Sequence, residues 1–197
     1  MPADLGPEDE VETARAHEYA LLAALLTRAP DDDLLARIAR LGGDETPLGS
    51  AHAALARAAA AADPGAVERE FLDLFIGVGR GELLPYASFY LTGFLHERPL
   101  ARLRADLAAL GIERAPDQSE PEDHAAVLCE VMAGLIGGVF TATAAEQQRF
   151  FDRHLLPWLG RFFADLAAAE SARFYRHVGA IGRLFIGIET EAFALAG

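Results

Sequence analysis

Apolar residues along this chain recur at steps of three and four, and no four-residue stretch combines strict alternation with β-branched enrichment. That periodicity places apolar side chains on one face of successive helices and leaves no signal for a strand. The fold class expected is all-α: a single globular bundle of about nine to eleven helices, with two lobes joined near residues 112–119. The N-terminal lobe would cover about 1–111 and the C-terminal lobe about 119–197.

Punctuation supports the division into elements. A first helix is expected from about Glu8 to Arg28, opened by Pro7 and stopped at Ala29-Pro30. Acidic Asp31 to Asp33 suits the positive end of a second helix, which would end at Gly42-Gly43. A third is expected from about Pro47 to Ala62 and a fourth from Ala66 to Ile76, followed by the irregular GVGRGELLPY and a helix near Pro99 to Leu110. In the second half, Ser119 with Glu122 and Thr143 with Glu146 have capping-box spacing, so each pair is expected to open a helix. The last helix places Phe174, Val178, Ile181, Phe185, Ile188, Ala192 and Leu195 on one seam, read as bundle core.

Composition removes several chemistries. All 17 basic residues are Arg. Without Lys there is no Walker phosphate loop, no ATP-anchoring lysine of a kinase and no Schiff base. The absence of Lys and Asn beside 40 Ala is also what a GC-rich genome produces. A net charge of −13 opposes phosphate backbones and anionic lipids, so neither nucleic acid nor membrane insertion is expected. The lone Cys129, the acidic N-terminus and a longest uncharged run of 15 residues, Val131 to Ala145, suit a cytoplasmic protein. Gly77, Gly79 and Gly81 miss the dinucleotide spacing, no His has a Glu three residues before it, and Ser88 lacks the glycines of a nucleophile elbow.

Two segments exceed what packing alone needs. Phe71 to Tyr90 places Phe71, Leu74, Phe75, Leu84, Pro85, Tyr86, Phe89 and Tyr90 around a glycine-rich turn, where they either line a groove or fold back onto the core. Glu120 to His124, EPEDH, crowds carboxylates and a His at an expected helix start, for a binding role or for capping.

The run FLDLFIGVGRGELLPYASFYLTGFL, then RPLARLRADLAALGIE, EPEDH and FFDRHLLPWLGRFFADL, resembles the TorD/DmsD family of redox-enzyme maturation chaperones. The most specific pieces are Phe71, Leu74 and Phe75; Glu120, Pro121, Asp123 and His124; and His154, Leu155, Pro157 and Trp158. The resemblance implies a non-enzymatic cytoplasmic protein. It would bind the twin-arginine leader and apo-form of a molybdopterin oxidoreductase and delay export until its cofactor is inserted. The leader-binding set it implies is Phe71, Leu74, Phe75, Pro85, Tyr86, Ser88, Tyr90, Glu120, Pro121, Asp123 and His124. Tyr86 stands where one branch of the family has Trp, and LTGFLHERPL is similar to members serving formate dehydrogenases or dimethyl-sulfoxide-reductase-like enzymes. No resident cofactor or metal is implied. A GTP-binding maturation factor, or weak association with GTP or the molybdopterin cofactor, is the alternative. The oligomeric expectation is a monomer or a domain-swapped dimer.

Overall fold

The computed structural model describes residues 6–115 and 119–196. The first five residues of the acidic N-terminus and residues 116–118 of the polar linker lie outside them. Ten α-helices form among the described residues: α1 Pro7–Thr27, α2 Asp32–Ile38, α3 Pro47–Ala60, α4 Pro64–Phe71, α5 Ala87–Thr92, α6 Arg98–Ala109, α7 Ala125–Ile136, α8 Ala144–Phe150, α9 Leu159–Ala168 and α10 Tyr175–Ala196. No strand forms among those residues; one isolated antiparallel bridge pairs Tyr86 with His124. The chain is all-α.

Capping chemistry sets several boundaries. Asp31, Thr46, Asp63 and Thr143 each accept a backbone N–H from the first turn of α2, α3, α4 and α8. The Thr143 box is complete, because Glu146 also returns a carboxylate oxygen to the Thr143 N–H at 2.8 Å. α7 is apolar almost all round, with Leu128, Cys129 and Met132 fully buried, so it occupies the centre of the bundle. α1 packs along it, while α9 and α3 pack against α10. One apolar cluster therefore draws on both sides of the 112–119 segment, with Tyr19, Phe151, Trp158, Phe162, Phe163 and Tyr175 as its largest buried side chains.

Several details differ from the sequence pattern. Ser119 and Glu122 do not open a helix; α7 begins at Ala125 with His124 as its N-cap. The Ala87 N–H donates to the Asp123 carbonyl and the Ala125 N–H to the Pro85 carbonyl, and this pairing requires extended backbone where the capping box would have required a helical turn. Glu122 is drawn away as well, accepting two bonds from Arg104 at 3.0 and 2.9 Å. α4 passes at Leu72–Ile76 into a π-helical turn, and α8 does the same at Phe151–Leu155. Pro157 sits in the turn that follows, and α9 starts only at Leu159. The α10 seam drifts: Val178, Ile181 and Phe185 are buried, but Ile188 and Leu195 are exposed and Glu189 and Phe193 take the inward positions. A straight helix turns every 3.6 residues, so a 3.5-residue seam rotates out of the core within a few turns.

Candidate functional site

The π-helical turn at Leu72–Ile76 ends at Gly77, whose φ of 60° lies in the left-handed region. A Cβ on Gly77 would sit on the Arg80 carbonyl, so Gly is required there. The reversal is closed by the Glu82 N–H to the Asp73 carbonyl at 3.1 Å and the Leu83 N–H to the Leu74 carbonyl at 2.8 Å. It returns the chain toward Pro85, where the pairing with residues 123–125 begins. The glycines thus serve a tight turn, in keeping with their wrong spacing for a nucleotide.

Around that pairing the structure assembles Pro85, Tyr86, Ser88, Glu120, Pro121, Asp123 and His124. Asp123 is buried, and its Oδ2 accepts the Ser88 N–H at 2.9 Å. The His124 N–H donates to the Pro121 carbonyl at 3.0 Å, which closes the EPEDH turn. His124 Nδ1 accepts the Ala126 N–H at 3.1 Å, and its ring meets Tyr86 edge-on with centroids 5.1 Å apart. The imidazole must therefore be neutral at Nδ1. Burial lowers its pKa from the ordinary value, with Glu120 and Asp123 opposing the shift. Tyr86 donates to Glu120 Oε2 at 2.6 Å, and burial followed by that carboxylate raises the phenol pKa. Ser88 Oγ is buried and has no hydrogen-bond partner among the described residues.

The remaining expected residues separate into two groups. Tyr90 is half-buried: its hydroxyl donates to Asp165 at 3.0 Å and its ring packs on Trp158 and Phe162, with Arg161 across its open face. Phe71, Leu74 and Phe75 face the core. Leu74 is fully buried, while Phe71 and Phe75 stack on each other and on Tyr175 of α10.

Beside Asp123 lies a small pocket of about 60 Å³, bounded by Leu91, Arg102, Leu103, Arg153 and His154. His154 Nε2 contacts Asp106 at 2.7 Å and its carbonyl accepts the Trp158 indole N–H at 2.8 Å, so the HLxPW residues brace one wall. A larger groove, about 690 Å³, lies elsewhere, between α3, α4 and the turn before α10, and none of the expected site residues lines it. No group of three or more His, Cys, Asp or Glu among the described residues is placed to hold a metal ion. Likewise, no described helix is long and apolar enough to cross a membrane.

Periodicity did not single out Glu70 or Glu82. Glu70 accepts the N–H groups of Arg173, Phe174 and Tyr175 at 2.7, 3.0 and 2.7 Å, where α10 begins. Glu82 accepts those of Glu170 and Ser171 at 2.6 and 3.0 Å. Both carboxylates come from the segment that leads to Tyr86 and fasten it to the α9–α10 turn. Neither carries a sequence signal that marks it: Glu70 ends the charged run Glu68-Arg69-Glu70, and Glu82 follows the glycine-rich turn.

Comparison with known proteins adds the lineage. The chain is 27% identical to a TorD chaperone of Vibrio atlanticus, over 64% of this chain and 63% of that one. It is 29% identical to a TorD chaperone of Vibrio cholerae, over 59% and 57%. The chain thus spans about 60% of the length of these curated relatives. A putative redox enzyme maturation protein from Archaeoglobus fulgidus shares the fold, with a TM-score of 0.56 at 20% identity over 89% of this chain and 93% of that one. The family model described as nitrate reductase delta subunit matches residues 42–164, which include both the GVGRGELLPY turn and EPEDH. The chain belongs to that family, the TorD/DmsD group.

Proposed function

We propose that this protein is a cytoplasmic maturation chaperone that binds the twin-arginine leader of a molybdopterin oxidoreductase catalytic subunit and withholds it from export until its cofactor is in place. The clients proposed are formate dehydrogenases or dimethyl-sulfoxide-reductase-like enzymes. In this reading the protein is not an enzyme, carries no resident metal or cofactor, and works as a monomer or as a dimer exchanging its C-terminal lobe.

The observation that carries the reading is the juxtaposition of Asp123, Glu120 and Tyr86 at one junction between α5 and α7, in a chain of net charge −13. Carboxylate and phenolic oxygens, those of Asp123 buried and those of Glu120 and Tyr86 partly exposed, suit a guanidinium, which offers five donors and no acceptor. Apolar contacts set most of the affinity: covering ~300 Å² contributes about 7 kcal/mol before ordering costs, against about 0.2 to 1 kcal/mol for each exposed ion pair. Charge sets specificity and on-rate.

Calorimetric titration tests the proposal with three peptides: a twin-arginine leader, its Lys-Lys counterpart and a scrambled sequence. The leader is expected to bind at least tenfold more tightly than the scrambled peptide. Equal affinity for both overturns the reading, and a thermal midpoint raised by GTP and Mg²⁺ but not by leader moves the function to the nucleotide alternative.

A further inference from the structure

Between the π-helical turn and Pro85 the chain runs through a strap, residues 77–84, whose first half is held by little. Val78 is fully exposed, and Arg80 makes its one printed contact over the Phe89 ring, at 5.1 Å. The backbone bonds of Glu82 and Leu83 return to Asp73 and Leu74, on the stretch of chain just before the strap. Among the described residues, the hydrogen bonds that carry 77–84 to the C-terminal half all end on the Glu82 carboxylate. Its Oε1 accepts the Glu170 N–H at 2.6 Å and its Oε2 the Ser171 N–H at 3.0 Å. From Glu82 onward the chain is fixed at nearly every residue. The Tyr86 N–H donates to the Leu84 carbonyl at 2.8 Å, the Pro85 carbonyl accepts the Ala125 N–H at 2.8 Å, and the Ala87 N–H donates to the Asp123 carbonyl at 2.9 Å. Glu82 and Tyr86 are four positions apart, a span of at most about 14 Å, so a shift at the first reaches the second with little slack. On the far side of Tyr86, the Tyr90 hydroxyl donates to Asp165 of α9 at 3.0 Å. Tyr86 thus stands between two tethers, and both end on α9 or on the turn that leaves it.

We infer that Glu82 is a positioning residue: by latching the strap to the α9–α10 turn it sets the pairing of 85–87 with 123–125, and through that pairing the readiness of Tyr86, Glu120 and Asp123 to receive a partner. The second half of this inference rests on the chaperone reading; the first does not. Glu82 is suited to a latch because its side chain is exposed and its two bonds are charge-assisted, so they hold the strap without a share in the core. A site whose competent arrangement is only partly populated binds with its affinity reduced by that fraction. Loss of the latch therefore appears in the association rate, since the bound arrangement itself is unchanged. Loss of a residue that touches the partner appears mainly in dissociation.

The test compares the full chain with Glu82→Ala, Glu82→Gln and Glu170→Ala, by amide hydrogen exchange of the free proteins and by the kinetics of twin-arginine peptide binding. Glu170→Ala removes the same charge from the same turn but keeps the N–H that Glu82 receives. Glu82→Ala is expected to speed exchange of the Ala87 and Ala125 N–H groups at least tenfold. It is also expected to slow peptide association at least threefold while dissociation stays within twofold. Glu82→Gln, which keeps one acceptor oxygen, is expected to fall between and carries the comparison if the alanine variant does not fold. Glu170→Ala is expected to match wild type in both readouts. Unchanged exchange at Ala87 and Ala125 overturns the inference, even beside a lowered thermal midpoint. An affinity loss confined to dissociation, or association slowed equally by Glu170→Ala, overturns the positioning role as well. Failure of wild type to bind the peptide overturns the chaperone reading, and exchange alone then upholds or overturns the latch.

Discussion

Asp123 Oδ2 accepts the Ser88 N–H at 2.9 Å while the Asp123 carbonyl accepts the Ala87 N–H at 2.9 Å, so one residue of the EPEDH turn caps the start of α5 with both side chain and backbone. Asp123→Asn keeps an acceptor oxygen facing Ser88 but removes the charge. It is expected to cost under about 1 kcal/mol of stability yet to weaken twin-arginine peptide binding by about 1.5 to 3 kcal/mol, the value of a charge-assisted bond. A double-mutant cycle with Arg-substituted peptides checks this. Additive losses would place Asp123 out of contact with the arginines.

Leu74 is fully buried behind the π-helical turn. Leu74→Ala is expected to lower unfolding stability by about 2 to 5 kcal/mol in urea, with peptide affinity per folded molecule unchanged. A selective loss of affinity at wild-type stability would return Leu74 to the binding surface.

Glu70 supplies both carboxylate oxygens to three successive N–H groups at the start of α10. Glu70→Ala is expected to cost about 2 to 4 kcal/mol, because the orphaned donors lose an anion at a helix N-terminus and recover only water from the adjoining groove. Glu70→Gln should lose less, since its single carbonyl oxygen still accepts. Equal urea midpoints for wild type and both variants would show that this clamp contributes nothing.

His124 titrates in the direction of acid destabilisation. Its folded pKa lies below the ordinary 6.5, so its contribution is complete above that value and is lost as pH falls toward the lowered folded value, when protonation of Nδ1 breaks the cap on Ala126. His154 and His177 are also lowered by burial and act in the same sense; His52 is raised by its bond to Glu18 and acts in the opposite one. His124→Asn retains an N-cap acceptor without a proton to bind. It is expected to flatten the fall in thermal midpoint between pH 7 and 5, and an unaltered slope would remove His124 from the acid response.

Helix positions were legible where the determinant is local. Thr143 and Glu146 lie three residues apart, and their mutual bonds need no other part of the chain. Ser119 and Glu122 have the same spacing but no helix, because Arg104 takes the Glu122 carboxylate and the backbone of Pro85 and Ala87 pairs with Ala125 and Asp123 from elsewhere in the fold. Glu189 shows the same limit within α10. Its charge reads as a solvent position, yet it is 1% exposed, held bidentately by Arg15 at 2.7 and 2.8 Å and by the Tyr19 hydroxyl at 3.1 Å. Burial of such a carboxylate depends on a partner on α1, which no pattern within α10 encodes.

The sequence by itself determined the all-α class, most helix boundaries, the exclusion of lysine-dependent chemistry and the order of motifs that marks the family. Periodicity, caps and composition are properties of neighbouring residues. Tertiary structure decided which residues of the Phe71–Tyr90 segment are buried and which are bare, and it joined Tyr86 to Glu120 and Ser88 to Asp123 across more than thirty positions. Those outcomes depend on the π-helical turn, which rotates Leu72 and Ile76 out of register with the preceding α4, and on hydrogen bonds whose partners meet only once α5 and α7 are packed.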